Sequence, residues 1–247
     1  MDDLADKKKL GKKVYRGAYE YKRNDNIYSE ETFEVFKDKK DTGLYFVSQI
    51  ISRVSTGELL NVNINYYVNK NFIPLSVKIE KTLGNQHVEE VFTFNSKTNK
   101  LTYVFKDQNG EHESEISTPP KFTISCPSVC TSMLCLRQKK VDTTSKSFFT
   151  LFVSQNMWDY EHELESKSIA VQKVSQSPEK LTLDGQNVNA IQYKLYQQLE
   201  EGSDEPGADD FLRAYVSPHA TLPYVIRGED GTKIQIKYMN NLTDSEV

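Results

Sequence analysis

Residues 59–69 read LLNVNINYYVN. In an extended chain, Leu60, Val62, Ile64, Tyr66 and Val68 fall on one side and Asn61, Asn63 and Asn65 on the other. A helical repeat of 3.6 residues would scatter the two sets around its circumference, whereas a repeat of two separates them. The stretch predicts a β-strand with one apolar and one wet face.

The same rhythm runs outward in both directions. Residues 13–23, KVYRGAYEYKR, place Tyr15, Gly17, Tyr19 and Tyr21 opposite Arg16, Glu20 and Lys22, and Asn24-Asp25-Asn26 turns the chain. Residues 28–38 set Phe33 and Val35 against Glu30 and Glu34, and 43–55 add a long strand carrying Phe46 and Ile50. Further strands are expected at 73–82, 87–94, 101–105 and 111–117, the last after an Asn109-Gly110 hairpin signal. That makes about eight strands joined by short turns, with none of the long crossovers that parallel pairing needs, so the sheet should be an antiparallel meander.

The rhythm breaks at residues 119–141, PPKFTISCPSVCTSMLCLRQKKV, which hold all three cysteines. Pro127 suits the first position of a helix, Val129, Met133 and Leu134 are spaced as one apolar stripe, and Arg137, Lys139 and Lys140 suit its C-terminal end. A helix of about three turns is predicted over 127–138. Strands then resume at 147–154, 158–166, 169–175, 180–183, 188–199, 211–217, 224–227 and 233–239, interrupted by an acidic loop at 200–210. A sheet of that many strands cannot stay flat. The predicted fold is mainly β: a large, strongly curved antiparallel sheet, an open or incomplete barrel, with one short helix across its concave face. Residues 13–241 form one domain, after a polar leader at 1–12 and before a tail at 242–247.

Composition agrees. Only 37% of the 247 residues are hydrophobic, but 14 Tyr and 12 Phe make that fraction unusually aromatic, which suits a pleated, half-buried surface. The net charge of −4 is no footprint for nucleic acid. No apolar run approaches the ~20 residues of a membrane-spanning helix. The first residues, MDDLADKKKLGKK, have no apolar h-region, which leaves either a cytoplasmic protein or a cell-envelope (periplasmic) protein whose leader has been removed.

The order of parts resembles a known family. It is carried by the tyrosine-rich first strand, the hairpin VFTFNSKTNKLTYVFKD at 91–107, the helix ending in Leu136-Arg137, and the late pair RAYVSPHATLPYVIR at 213–227. The chain is similar to an uncharacterised bacterial domain-of-unknown-function family related in fold to the periplasmic lipoprotein carriers and their outer-membrane receptors. That resemblance implies an incomplete barrel with helix over its concave side and an acyl chain in an apolar cavity. It implies no catalytic residue. The cysteines around the helix and the lack of a visible leader depart from the group's pattern.

Chemistry is sparse. Cys126, Cys130 and Cys135 lack the ligand number and spacing of structural zinc and read first as small apolar thiols, with one disulfide among them as the alternative. His162 stands among Asp159, Glu161, Glu163 and Glu165, but in a strand it points away from them. No motif calls for a cofactor or a metal, and no residue is assigned a catalytic role. The leading functional expectation is non-enzymatic binding of a hydrophobic, lipid-like ligand on the concave face. Its lining would be Tyr19, Tyr21, Phe46, Ile50, Val62, Ile64 and Tyr66 from the sheet and Met133, Leu134 and Leu136 from the helix, because one short helix leaves much of such a face uncovered. The alternatives are a protein-interaction module of the envelope and a lyase- or isomerase-like enzyme in which His162 or His219 meets a carboxylate inside the same cavity.

Overall fold

The computed structural model describes residues 10–40, 42–155, 158–196 and 211–243. The acidic loop at 200–210 and parts of the leader and tail lie outside the described residues. The first run of strands is β1 (Lys12–Arg23), β2 (Asn26–Lys37), β3 (Gly43–Arg53), β4 (Leu59–Asn69), β5 (Pro74–Leu83), β6 (Gln86–Asn95), β7 (Lys100–Lys106) and β8 (Glu111–Ser117). Each pairs antiparallel with the next, in agreement with the predicted meander. The β1–β2 turn holds Asn24 and Asp25 at φ 49° and 66°. Two successive left-handed residues are what a two-residue hairpin needs to follow the twist of its strands.

The second run comprises β9 (Thr123–Ser125), β10 (Ser147–Val153), β11 (Ser166–Lys173), β12 (Glu179–Leu183), β13 (Gln186–Tyr196), β14 (Phe211–Val216), β15 (Pro223–Arg227) and β16 (Thr232–Asn241). It joins the first run through β16, which pairs antiparallel with β1. The sheet order is therefore β8-β7-β6-β5-β4-β3-β2-β1-β16-β15-β14-β13-β11-β10-β9, with β12 attached only to β13. All 16 strands belong to one curved sheet that does not close into a barrel. Two details differ from expectation. Strand β9 has no counterpart among the predicted strands and pairs parallel to β10, and residues 158–165 are not a strand.

Curvature brings the β9 edge inside. Tyr66 on β4 points inward, and its hydroxyl accepts the Ile124 N–H (3.1 Å) and donates to the Ile124 carbonyl (3.2 Å). One tyrosine thus satisfies both backbone groups of an edge residue that has no second strand beside it. Phe122 packs edge-on against Phe94 of β6 and Phe152 of β10. The sheet is rolled like a spiral, its end tucked against its own inner face. Between β1 and β2, Gly17 leaves room for its cross-strand neighbour, since a Cβ there would lie 2.5 Å from the Phe33 ring. Outside, charge alternates: Lys78 sits between Glu80 and Glu89, and Lys237 between Glu20 and Glu30.

Candidate functional site

The inner face is filled by the chain itself, and the filler has a definite construction. Residues 126–138 leave β9, cross the interior and return. Their far end sits at Glu31 of β2, whose side chain is fully buried. Its carboxylate accepts from Tyr21 Oη (2.6 Å), Ser128 Oγ (2.5 Å), Val129 N–H (2.9 Å) and Cys130 N–H (3.5 Å). Tyr21 Oη also lies 3.3 Å from the Pro127 carbonyl. The near end is closed by Gln138, whose Nε2 donates to the carbonyls of Phe72 (2.9 Å) and Phe122 (2.7 Å), while Lys121 Nζ donates to the Gln138 carbonyl (2.7 Å). The plug's return at Gln138 therefore meets Lys121 and Phe122, which lead into β9, at one mouth beside the β4–β5 turn, and its opposite end, just after β9, is held by one buried carboxylate.

The plug stands where the sequence predicts a helix, but it is two 3-10 turns, Val129–Thr131 and Leu134–Arg137, and not three α-helical turns. The local chemistry explains this. Thr131 and Ser132 donate their hydroxyls to the carbonyls of Ser128 and Val129, and such side-chain bonds compete with a helical ladder. Glu31 accepts from the first N–H groups of the segment, which would have no partner within a helix, and so fixes where the segment starts. Burial pushes the Glu31 carboxyl above its ordinary range, against the lowering effect of its four donors.

A second buried polar group lies further along the inner face. Lys81 of β5 pairs with Glu90 of β6 at 2.7 Å, and both are almost wholly buried. Glu90 also accepts from Tyr103 Oη (2.9 Å) and the Gln155 N–H (2.7 Å), and Lys81 donates to the Gln155 carbonyl. This pair ties the chain just after β10 to the first run of strands. Beyond it, Tyr160 stacks on His112 of β8 and packs against Phe105 of β7.

The residues expected to line a ligand site are thus gathered on one surface, but that surface is closed. Tyr19, Tyr21, Phe46, Ile50, Val62, Ile64, Tyr66, Met133 and Leu134 are buried in a single core, and Leu136 packs partly buried against it. The expectation of an uncovered concavity is corrected: the tucked β9–β10 edge, the plug and residues 154, 155 and 158–164 occupy the space that a short helix would have left. The three cysteines are free, so no disulfide forms among them. Burial raises the Cys126 thiol to about 11, Cys135 to about 12 and Cys130 well above its ordinary value. These are protonated packing groups and poor nucleophiles. His162 and His219 are exposed, so neither meets a carboxylate inside the sheet, contrary to the enzyme alternative. No group of His, Cys, Asp or Glu able to hold a metal occurs among the described residues. No described helix is long and apolar enough to cross a membrane.

Sequence reasoning missed Glu31, Lys81 and Glu90. The signal is present: each occupies an inward position of its strand, two residues from Phe33, Ile79 and Phe92 respectively. The plug's attachment gives a direct prediction. Tyr66→Phe removes both bonds to Ile124 and should destabilise the protein by about 1–2 kcal/mol, lowering the urea midpoint with an unchanged m-value. An unchanged midpoint would mean that β9 is held by apolar packing alone.

No protein-family model matches the chain, and no curated protein does. Among solved structures, a beta-barrel-like protein of domain of unknown function DUF1849 from Brucella abortus aligns over 95% of this chain and 100% of its own, with a TM-score of 0.57 and 9% identity. A DUF1089 family protein from Pseudomonas aeruginosa aligns over 80% and 88%, with a TM-score of 0.48 and 11% identity. At such identities the likeness is one of fold: the chain is a β-barrel-like domain.

Proposed function

We propose that this chain is a non-enzymatic binding domain that takes an acyl-like ligand on the inner face of its curved sheet by displacing the plug at 126–138. One observation carries this reading. The inner face is apolar and aromatic, yet over its centre it is covered by a short segment of 3-10 turns tethered through a few polar contacts, at Glu31 where it leaves β9 and at Gln138 where it reaches the mouth. Such a segment can leave without unpairing β1 to β8.

Magnitudes set the ligand's size. Withdrawing Val129, Met133 and Leu134 forfeits about 1.5–3 kcal/mol for each side chain, and a buried methylene returns about 0.8 kcal/mol. A chain of about six to eleven methylenes is then needed to replace the three side chains. Fatty acids of graded length should therefore leave the protein unaffected when short and raise its melting temperature once a threshold of about six to eleven carbons is reached. Native mass spectrometry before and after solvent extraction checks the same reading on purified protein. No added mass, together with no dependence on chain length, would overturn it.

A further inference from the structure

The mouth at which the plug returns, beside the segment that leads into β9, opens onto a groove of about 710 Å³. Among the described residues its lining includes five cations, Lys70, Lys121, Arg137, Lys139 and Lys140, and no Asp or Glu. In a chain of net charge −4 that is a marked local reversal. The groove has an apolar floor made by Phe72, Ile73 and Leu136. We propose that this groove seats the phosphate headgroup of an anionic lipid.

The cations are placed by the fold. The Arg137 guanidinium lies over the Phe72 ring at 5.1 Å. Phe72 holds a left-handed backbone, φ 60°, unusual for a bulky side chain. It is kept there by its N–H bond to the Asn69 carbonyl (2.9 Å) and by Gln138 on its own carbonyl. The strained residue thus presents both the ring beneath Arg137 and the carbonyl that anchors the plug's return. Lys121 reaches across the stem to the Gln138 carbonyl, and Lys139 lies 4.5 Å over the Phe149 ring while donating to the Phe148 carbonyl. Phe148 itself is 62% exposed beside these cations. Fixed cations at the rim, an apolar floor and a projecting aromatic suit a group that is anionic at one end and apolar at the other.

The inference rests on the acyl-chain reading above, because the mouth that would admit the chain is the mouth that carries the charge. The two are separable by experiment. Cosedimentation of the full chain with phosphatidylcholine vesicles, with and without phosphatidylglycerol, tests the headgroup site alone. Each cation near an anionic surface is expected to contribute about a five-fold gain, so the two compositions should differ by at least about ten-fold at ~0.1 M salt. Lys70→Glu with Lys140→Glu, both exposed, should abolish the difference. Lys167→Glu with Lys180→Glu, an equal change of charge on β11 and β12, should leave it. Equal losses in both pairs, or equal binding to both vesicles, would overturn the headgroup site. Binding of glycerol phosphate in solution with no preference for anionic vesicles would assign the groove to a free phosphorylated solute and overturn it too. An acyl chain retained in the mass spectrum without vesicle preference removes the headgroup site only. Vesicle preference without dependence on chain length removes the interior site only.

Discussion

Lys81→Met should be among the most damaging single substitutions in this protein, lowering stability by about 3–5 kcal/mol. The lysine is buried, and Glu90, fully buried, has no other cation among its described partners. Removing the lysine leaves a carboxylate with two hydrogen bonds and no counter-charge in a medium that solvates it poorly. It also frees the Gln155 carbonyl that Lys81 binds. Glu90→Gln alone should be similarly harmful, because it strands the ammonium. The double variant should recover much of the loss, since two neutral groups no longer require each other and the new amide on β6 can still meet Tyr103 and the Gln155 N–H. Urea midpoints of the four proteins give the coupling directly. Additive losses would place the pair in solvent-screened contact and contradict its burial.

This pair also marks the limit of what the sequence discloses. The alternation in 59–69 is sufficient for the strand, its wet face and, repeated through 117, the whole first half of the sheet. Alternation describes which side a residue faces, and that is a local property. It does not say which strands meet at long range, so the β1–β16 pairing that joins the two runs, and the tucking of β9 beneath Tyr66, have no local signature. Residues 158–165 show the converse failure. Tyr160 and Leu164 do turn inward, on to Phe105 and into the core, while the carboxylates turn out. His162 between Tyr160 and Leu164 is exposed, so the period of two is only partly kept, and no neighbouring described backbone completes a ladder. In the plug, the spacing of Val129, Met133 and Leu134 locates the buried side correctly. It cannot reveal that hydroxyls capture carbonyls a helix needs, or that a distant glutamate accepts from the segment's first N–H groups.

Glu31 is legible only in hindsight, by its inward position, yet the candidate site turns on it. Glu31→Ala leaves four buried donors without their acceptor, two hydroxyls and two backbone N–H groups. The free energy that keeps the plug closed should fall by about 2–4 kcal/mol. The protein carries its own reporters of that event. All three cysteines are free; Cys130 and Cys135 are buried, and Cys126 is half-buried. Alkylation of Cys130 requires the plug to open, so Glu31→Ala should accelerate it by roughly 30- to 1,000-fold, with Cys126 changing far less. A long-chain fatty acid should accelerate it in the native protein as well. The pH dependence has a defined sign. Because burial raises the folded-state value of Glu31 above 4.5, its contribution is complete below that value and is lost as pH rises through the raised one. The stability difference between the native protein and Glu31→Gln should therefore shrink as pH rises from about 4.5 toward neutrality. A fall in urea midpoint with Cys130 still closed to alkylation would make Glu31 a general element of the core, and the plug would no longer be a separable part of it.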